Sequence, residues 1–519
     1  MAKAMAITME QTYKDTVIVT LNGVAHECPA GTCLGELMQE HGHRSMPCGG
    51  HGKCGKCRVT VTGHVSPPAE DEKKALTAEE LAQGIRLACR TTALGDCTVT
   101  SADEQGGGQI VVDGRFPASM RGVQPTPAWS TYGVAIDIGT TTLAARLYDR
   151  KGQMLAEASR LNPQSTWGAD VISRMEAAMA GNAAKMAALT RRTLNSMVEE
   201  LAGAAAIETA DIGAVTITGN TVMLHLLTET DVEPLTHAPF EAKRLFGETL
   251  AARELDLAAL PPDAQVYLPP CIAAFVGADT VTATLASDMR ESADTALLCD
   301  IGTNGEMVLW QDGVLYACST AAGPAFEGAG ISMGMAGRTG AVDRVWVTDG
   351  EIKAHVIGEA DPVGICGSGL VDAVAALLET EALDETGFLE DDPAVILSPV
   401  EITQEDIRAV QLAKSAIHAG MRTLIHTAKL DCDEVATLYI AGGFGSYLDV
   451  ANAGKIGLLP EELTDRVTVL GNAALTGAAM LLLREDLRPS CEAMARETRI
   501  VELATNPVFV SEYMERMMF

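Results

Sequence analysis

Apolar and polar positions alternate over residues 14–21 (KDTVIVTL), the period of a half-buried strand. Asn22-Gly23 follows as a hairpin-turn signal, and Val24 to Glu27 starts the return strand. Leu34, Leu37 and Met38 share one face of a short helix predicted over Thr32 to His41. Alternation resumes over Arg58 to Thr62, a helical period covers Leu76 to Gln83, and Thr98 to Ser101 reads as a closing strand. These elements predict one small domain over 1–103. Residues 104–130 hold Gly106-Gly107-Gly108, three prolines and no periodicity, so they read as a linker.

From Val134 the pattern changes. Strands are predicted over Val134 to Asp137, Thr142 to Tyr148 and Met154 to Ala158, with a turn at Asp149 to Gly152. The same layout returns over Ala296 to Asp300, Glu306 to Trp310 and Val314 to Cys318, offset by 163 residues. Met186, Leu189, Leu194, Met197, Val198 and Leu201 recur at helical spacing between the copies. Val215 to Thr218 is a strand ending in Gly219-Asn220-Thr221. In the second half, helices are predicted over Val371 to Leu378, Glu405 to Lys429 and Ala473 to Leu483, and a buried strand over Thr437 to Ala441. Alternating strands and helices in two related lobes, 131–290 and 291–519, predict an α/β multidomain chain, the second lobe ending in a C-terminal helix.

Composition narrows the function classes. The 519 residues carry a formal charge of −31, of which −29 lies beyond residue 103, which argues against nucleic acid or an anionic membrane as partner. No sustained apolar run reaches the roughly 18 residues of a membrane helix, and no signal peptide is evident, so a cytoplasmic location is expected. Thirteen cysteines, mostly scattered singly, fit reduced thiols better than a disulfide framework.

Four of those cysteines carry a pattern. Residues 48–57 read CGGHGKCGKC, and Cys89 follows Cys57 after 31 intervening residues. Cys48, Cys54, Cys57 and Cys89 resemble the ligands of a plant-type 2Fe–2S ferredoxin, whose domain is a β-grasp fold. The first gap holds five residues, as in adrenodoxin-like and bacterial variants. The alternative is a zinc site, which usually shows two close cysteine pairs. Cys28, Cys33 and Cys97 read as packed thiols. Lys53, Lys56 and Arg58 around the loop form either a docking rim for an electron donor or a plain solvated edge.

The repeated strands enclose a second chemistry. Asp137-Ile-Gly-Thr140 recurs as Asp300-Ile-Gly-Thr303. In such a turn glycine lets the backbone approach phosphate oxygens, threonine hydroxyls donate to them, and aspartate holds magnesium through water. Gly442-Gly443-Phe444-Gly445 then offers a flat surface for a nucleoside. Gly323 to Gly340 is either a mobile loop or ordinary loop packing. Gly367-Ser-Gly369 reads as a plain helix start, and Asp279 as structural.

Asp137 to Thr142, Thr218 to Thr221, Asp300 to Glu306, Ala441 to Gly445 and Gly471 to Gly477 resemble, in order, the nucleotide-site motifs of the superfamily of acetate kinase, sugar kinases, heat-shock chaperone ATPases and actin. That resemblance implies a two-lobed ribonuclease H-like ATPase. Its catalytic residues would be Asp137, Asp300 and Glu306. ATP would be bound by Gly139, Thr140, Thr141, Thr142, Asn220, Gly302, Thr303, Asn304, Gly305, Gly442, Gly443, Phe444 and Gly445. Together with the ferredoxin pattern, DIGTNGE at 300–306, TGNTVMLHLL at 218–227, CSTAAGPAFEGAGI at 318–331 and AGGFGSYLD at 441–449 resemble the reductive activators of corrinoid-dependent proteins. The family implies ATP- and Mg²⁺-dependent reduction of cob(II)amide to cob(I)amide on a corrinoid protein or methyltransferase, with electrons from a low-potential donor. Only about 30 residues join the two parts, where larger members carry an additional middle domain, so a homodimer is left open. The alternatives are an electron donor to a 2-hydroxyacyl-CoA dehydratase or a small-molecule kinase with an accessory redox domain. Activators of those dehydratases use a 4Fe–4S cluster, and no CxxC pair follows residue 130 to hold one.

Overall fold

The computed structural model describes residues 16–40, 52, 57–100, 114, 116–129 and 131–519. Cys48, Lys53, Cys54, Lys56 and the first part of the expected linker lie outside the described residues. Contacts divide the chain into two units: Met1–Gln105 with Ser165–Ala169, and Gly106–Gln164 with Asp170–Phe519.

In the first unit, strands Thr16–Leu21, Val24–Pro29, Arg58–Val65, Ile85–Leu87 and Ala93–Thr100 form one mixed sheet. Ala93–Thr100 is central, and Thr16–Leu21 pairs parallel with it and antiparallel with its own hairpin partner. Asn22 and Gly23 turn the hairpin with positive φ of 47° and 89°, the twist that matches right-handed strands. The helix Leu34–Glu40 buries Leu34, Leu37 and Met38, the three residues of its predicted apolar face, in the same core as Val17, Val19 and Leu87.

A buried ion pair braces this unit. Glu72, fully buried, accepts from Arg86 Nε at 2.9 Å and Nη2 at 2.8 Å, and from the amides of Leu87 at 3.0 Å and Ala69 at 2.9 Å. Burial alone would raise its pKa, but the Arg86 hydrogen bonds, the two amides and the guanidinium charge together hold it below the usual value. A lowered folded pKa contributes stability above the unfolded value of about 4.3, and that stability is lost as pH falls through the folded value. Glu72→Ala leaves Arg86 buried and unpaired, so it is expected to cost about 3–5 kcal/mol in this unit. Faster amide exchange over Ile85–Leu87 in the full chain, already at neutral pH, is the measurement. Wild-type protection there should fall only below about pH 4.

The second unit contains two six-stranded sheets of related topology. In the first, Tyr132–Ile138, Thr142–Asp149 and Met154–Leu161 form an antiparallel meander, and Ile212–Gly219 lies parallel on the other side of Tyr132–Ile138. In the second, Ala296–Ile301, Gly305–Gln311 and Val314–Thr320 repeat the meander, and Thr437–Ala441 takes the parallel position. The duplication read from sequence is thus a duplication of strand order and direction. The helix Ala183–Ala205 buries the six predicted apolar residues from Met186 to Leu201.

Helix Ala473–Leu483 is buried along its whole length and packs on Ala278–Ala286. A Cβ at Gly477 would lie 1.9 Å from the Thr282 carbonyl oxygen, so only glycine permits this approach. The later half of the expected linker is no loose tether. Trp129 is buried, its indole Nε1 donates to the Leu482 carbonyl at 3.1 Å, and Ser119 is held by Asp288. The prolines that hide periodicity there shape a strap across the surface. Hairpin Ala341–Thr348 and Glu351–Val356, and strands Ala394–Leu397 and Val400–Ile402, are additions to the repeat. No described helix is long and apolar enough to cross a membrane.

Candidate functional site

A cavity of about 650 Å³ opens within the second unit, bounded by the ends of both meanders. That volume suits a small organic ligand. Asp137 stands at the C-terminal end of Tyr132–Ile138, and the turn after it closes through Gly139 N to Thr142 O at 2.9 Å. The second copy closes one residue tighter, Gly302 N to Asn304 O at 3.0 Å. Strand register sets Asp300 directly opposite Glu306, which puts both carboxylates on one face.

Other elements complete the wall. Asn220 caps Thr221–Leu227 by accepting from Met223 N at 2.9 Å, while its Nδ2 donates to Thr140 Oγ1 at 3.0 Å. Asn472 caps Ala473–Leu483 and donates to Asp137 Oδ2 at 3.1 Å. Gly442 has φ +91°, and a Cβ there would lie 2.6 Å from Asp300 Oδ1. Phe444 stacks on Phe326, ring centres 5.0 Å apart, giving the cavity an aromatic end. Glu327 accepts from both Thr141 Oγ1 and Thr303 Oγ1 at 2.7 Å.

The acidic groups crowd one another. Burial pushes Asp137 up to about 8, aided by the charges of Asp279 and Asp300 and offset by Asn472. Burial, Asp279 and Glu327 push Asp300 up to about 7. Glu306 is raised for the same reasons, burial first and then Asp279 and Asp300. Asp279 is raised by burial, against the amide and hydroxyl of Thr280. A divalent cation would relieve this repulsion. Among the described residues no three His, Cys, Asp or Glu converge closely enough to ligate a metal directly. The carboxylates therefore suit a hydrated cation, as Mg²⁺ keeps several waters.

Of the residues expected from sequence, Asp137, Gly139, Thr140, Thr141, Thr142, Asn220, Asp300, Gly302, Thr303, Asn304, Glu306, Gly442, Gly443 and Phe444 all line this cavity. Gly305 and Gly445 do not. A Cβ on Gly305 would press on Thr320 and Ile417, and one on Gly445 on Ile440, so both glycines serve packing. Asp279, read as structural, lines the cavity, as do Gly367 and Ser368 at the helix start. Glu327 and Asn472 had no residue-level signal, although both lie within motifs that carried the family resemblance.

In the first unit, Cys57 precedes strand Arg58–Val65 and Cys89 follows Ile85–Leu87; the pairing of Arg58 with Leu87 sets them side by side. Their sulfurs are 3.3 Å apart, well beyond a disulfide bond and close to the roughly 3.8 Å expected of two thiolates on one tetrahedral metal. The pair fits half of an iron–sulfur ligand set. Cys28 and Cys97 pack in the core, and Cys33 Sγ points to the Ala88 carbonyl at 3.6 Å. Arg58 is tied to Glu80 and the Ala75 carbonyl within its own unit.

Comparison with known proteins agrees with both halves of this description. Residues 19–94 match the 2Fe-2S iron-sulfur cluster binding domain, 132–292 the RACo middle region, and 294–519 the C-terminal domain of RACo, the ASKHA domain. The chain thus has the family's middle region, contrary to the expectation that it lacks one: the stretch read as the first lobe is that region. The corrinoid activation enzyme RamQ of Eubacterium limosum is 38% identical over 419 residues, 75% of this chain and 70% of that one. The [Co(II) methylated amine-specific corrinoid protein] reductase of Methanosarcina barkeri is 24% identical over 415 residues, 74% and 76% of the two chains. A solved reductive activator for corrinoid,iron-sulfur protein aligns over 97% of this chain and 98% of that one, with TM-score 0.69 and 28% identity.

Proposed function

This chain belongs to the RACo family, and we propose from that premise that it is an ATP-dependent reductive activator returning cob(II)amide on a corrinoid protein to cob(I)amide. One observation carries the reading. Two Asp-Ile-Gly-Thr turns face a single cavity in a chain that also sets Cys57 beside Cys89 in a ferredoxin-type unit. A bound 2Fe–2S cluster supplies one electron at a time near about −400 mV.

The chain's own residues divide the remaining work. Cys57 and Cys89, with Cys48 and Cys54, are the proposed cluster ligands. Thr140, Thr141 and Thr303, with the turn amides, hold phosphate oxygens, and Phe444 with Gly442 and Gly443 accommodates the nucleoside. Asp137, Asp300 and Glu306 hold the water shell of Mg²⁺ and orient the attacking water. A one-electron mismatch of ~59 mV costs a factor of ten in equilibrium, so a cobalt couple lying below the cluster leaves the electron where it is. Closure of the second unit around ATP is the two-state element that favours a partner form in which cobalt is easier to reduce. A low-potential donor reloads the chain.

The test uses the full chain, a corrinoid protein and a low-potential reductant. Cob(I)amide is expected to accumulate with Mg-ATP and to stay near the unassisted equilibrium with ATP omitted or replaced by a non-hydrolysable analogue, read by visible absorption. Equal accumulation in all three reactions would remove the energetic role of the nucleotide site.

A further inference from the structure

We propose that Glu327 is an internal competitor for nucleotide phosphate, a carboxylate latch that joins the two Asp-Ile-Gly-Thr turns and that bound phosphate displaces. The proposal rests on the nucleotide reading of the cavity. Its core is an inventory of protons. A threonine hydroxyl has one hydrogen and donates one strong hydrogen bond. Thr141 Oγ1 and Thr303 Oγ1 both donate to Glu327 Oε2, each at 2.7 Å. Thr303 closes the second Asp-Ile-Gly-Thr turn and Thr141 stands one residue past the first, and both are proposed phosphate donors. A phosphate oxygen and Glu327 cannot both receive them. Two anions would also face each other in a buried space, where repulsion is weakly screened.

What moves with Glu327 gives the latch a consequence. The residue ends the short turn Ala325–Glu327, and its neighbour Phe326 supplies the ring stacked on Phe444. Gly328 and Gly330 follow with φ of +79° and +82°, and a Cβ on Gly328 would lie 2.7 Å from Met335 N. Residues 325–335 are therefore one compact piece, pinned to the strand Gly364–Ile365 by Met335 N to Ile365 O at 2.9 Å. That strand leads into helix Gly367–Glu379, whose first residues line the cavity. Releasing Glu327 frees the phosphate end of this piece while Phe326 remains at the nucleoside end. Arg174, fully buried, gives the released charge a neighbour: burial draws its pKa down to about 10 against the opposing charges of Asp170 and Glu327.

The experiment measures ADP binding, without divalent metal, to wild type, Glu327→Ala and Glu327→Gln by calorimetry, together with amide exchange over residues 323–337. Glu327→Ala is expected to bind ADP about tenfold tighter, equivalent to ~1.4 kcal/mol. Glu327→Gln, which keeps an acceptor but loses the charge, should fall between. In wild type, ADP should raise exchange over 323–337, and Glu327→Ala should show that raised exchange before ADP is added. Adenosine, which has no phosphate, should bind all three alike. Equal or weaker ADP binding by both variants overturns the latch, since a residue that helps hold phosphate would behave that way. Unchanged wild-type exchange on ADP binding overturns it as well. A wild type that binds neither ADP nor ATP removes the nucleotide reading and the latch with it. One that binds ADP while Glu327→Ala gains nothing removes the latch alone.

Discussion

Asp300→Asn is expected to lower ATP hydrolysis on the order of 10²-fold or more, the scale on which removing one electrostatic group from a reaction centre acts. Reductive activation should fall with it. The substitution is nearly isosteric, so it removes charge and leaves shape. Asp300 is half-buried opposite Glu306 and beside the positive-φ Gly442, where no side chain fits. Its carboxyl is pushed up to about 7 by burial, Asp279 and Glu327. Removing one of several mutually repelling carboxylates relieves strain between like charges, so thermal stability should hold or rise. Lost activity in a protein of undiminished stability separates a role in chemistry from a role in folding. The proposed cluster ligands Cys57 and Cys89 lie in the other unit, and visible absorption should match wild type. Phosphate release by the purified full chain is the direct measurement; hydrolysis at the wild-type rate would take Asp300 out of the site.

The two turns were legible in sequence because their geometry is local. A strand, a glycine the backbone must pass and a hydroxyl one residue later occupy four consecutive positions, and the repeat at a fixed offset removed chance as an explanation. The rest of the wall comes from distant segments. Asp279 sits in the first turn of a helix, where an acidic residue is ordinary, and only the packing of that helix on Ala473–Leu483 brings it to the cavity. Glu327 lies in a glycine-rich stretch with no period, and its role emerges only when both turns reach it. Gly305 and Gly445 stand inside nucleotide motifs but off the cavity wall, and a side chain at either would press on its neighbours. The hairpin at 341–356 did carry a signal, Asp349-Gly350 between alternating segments, and both residues take positive φ. Trp129 was hidden among prolines, because a strap that follows a surface has no period to detect.

Cys89→Ala is expected to remove the cluster altogether, taking iron from about two per chain to near zero, because four thiolates are required. The structure fixes where Cys89 stands. The Leu87 amide is held by the Glu72 carboxylate at 3.0 Å, the Ala88 amide donates to the Cys57 carbonyl at 2.8 Å, and Thr91 Oγ1 closes back on the Leu87 carbonyl at 2.9 Å. A thiol clamped from both sides cannot be replaced by a neighbour without moving this braced turn. Cys97→Ala removes a thiol from the core of the same unit and should leave iron content unchanged, at the cost of packing alone. ATP hydrolysis by Cys89→Ala should persist, since the cavity residues belong to the second unit, while cob(I)amide formation should cease. Iron and sulfide assays, with phosphate release measured on the same preparation, separate these outcomes. If Cys89→Ala kept two irons, Cys33 would be the thiol to examine, because its sulfur lies 3.6 Å from the Ala88 carbonyl on the same turn.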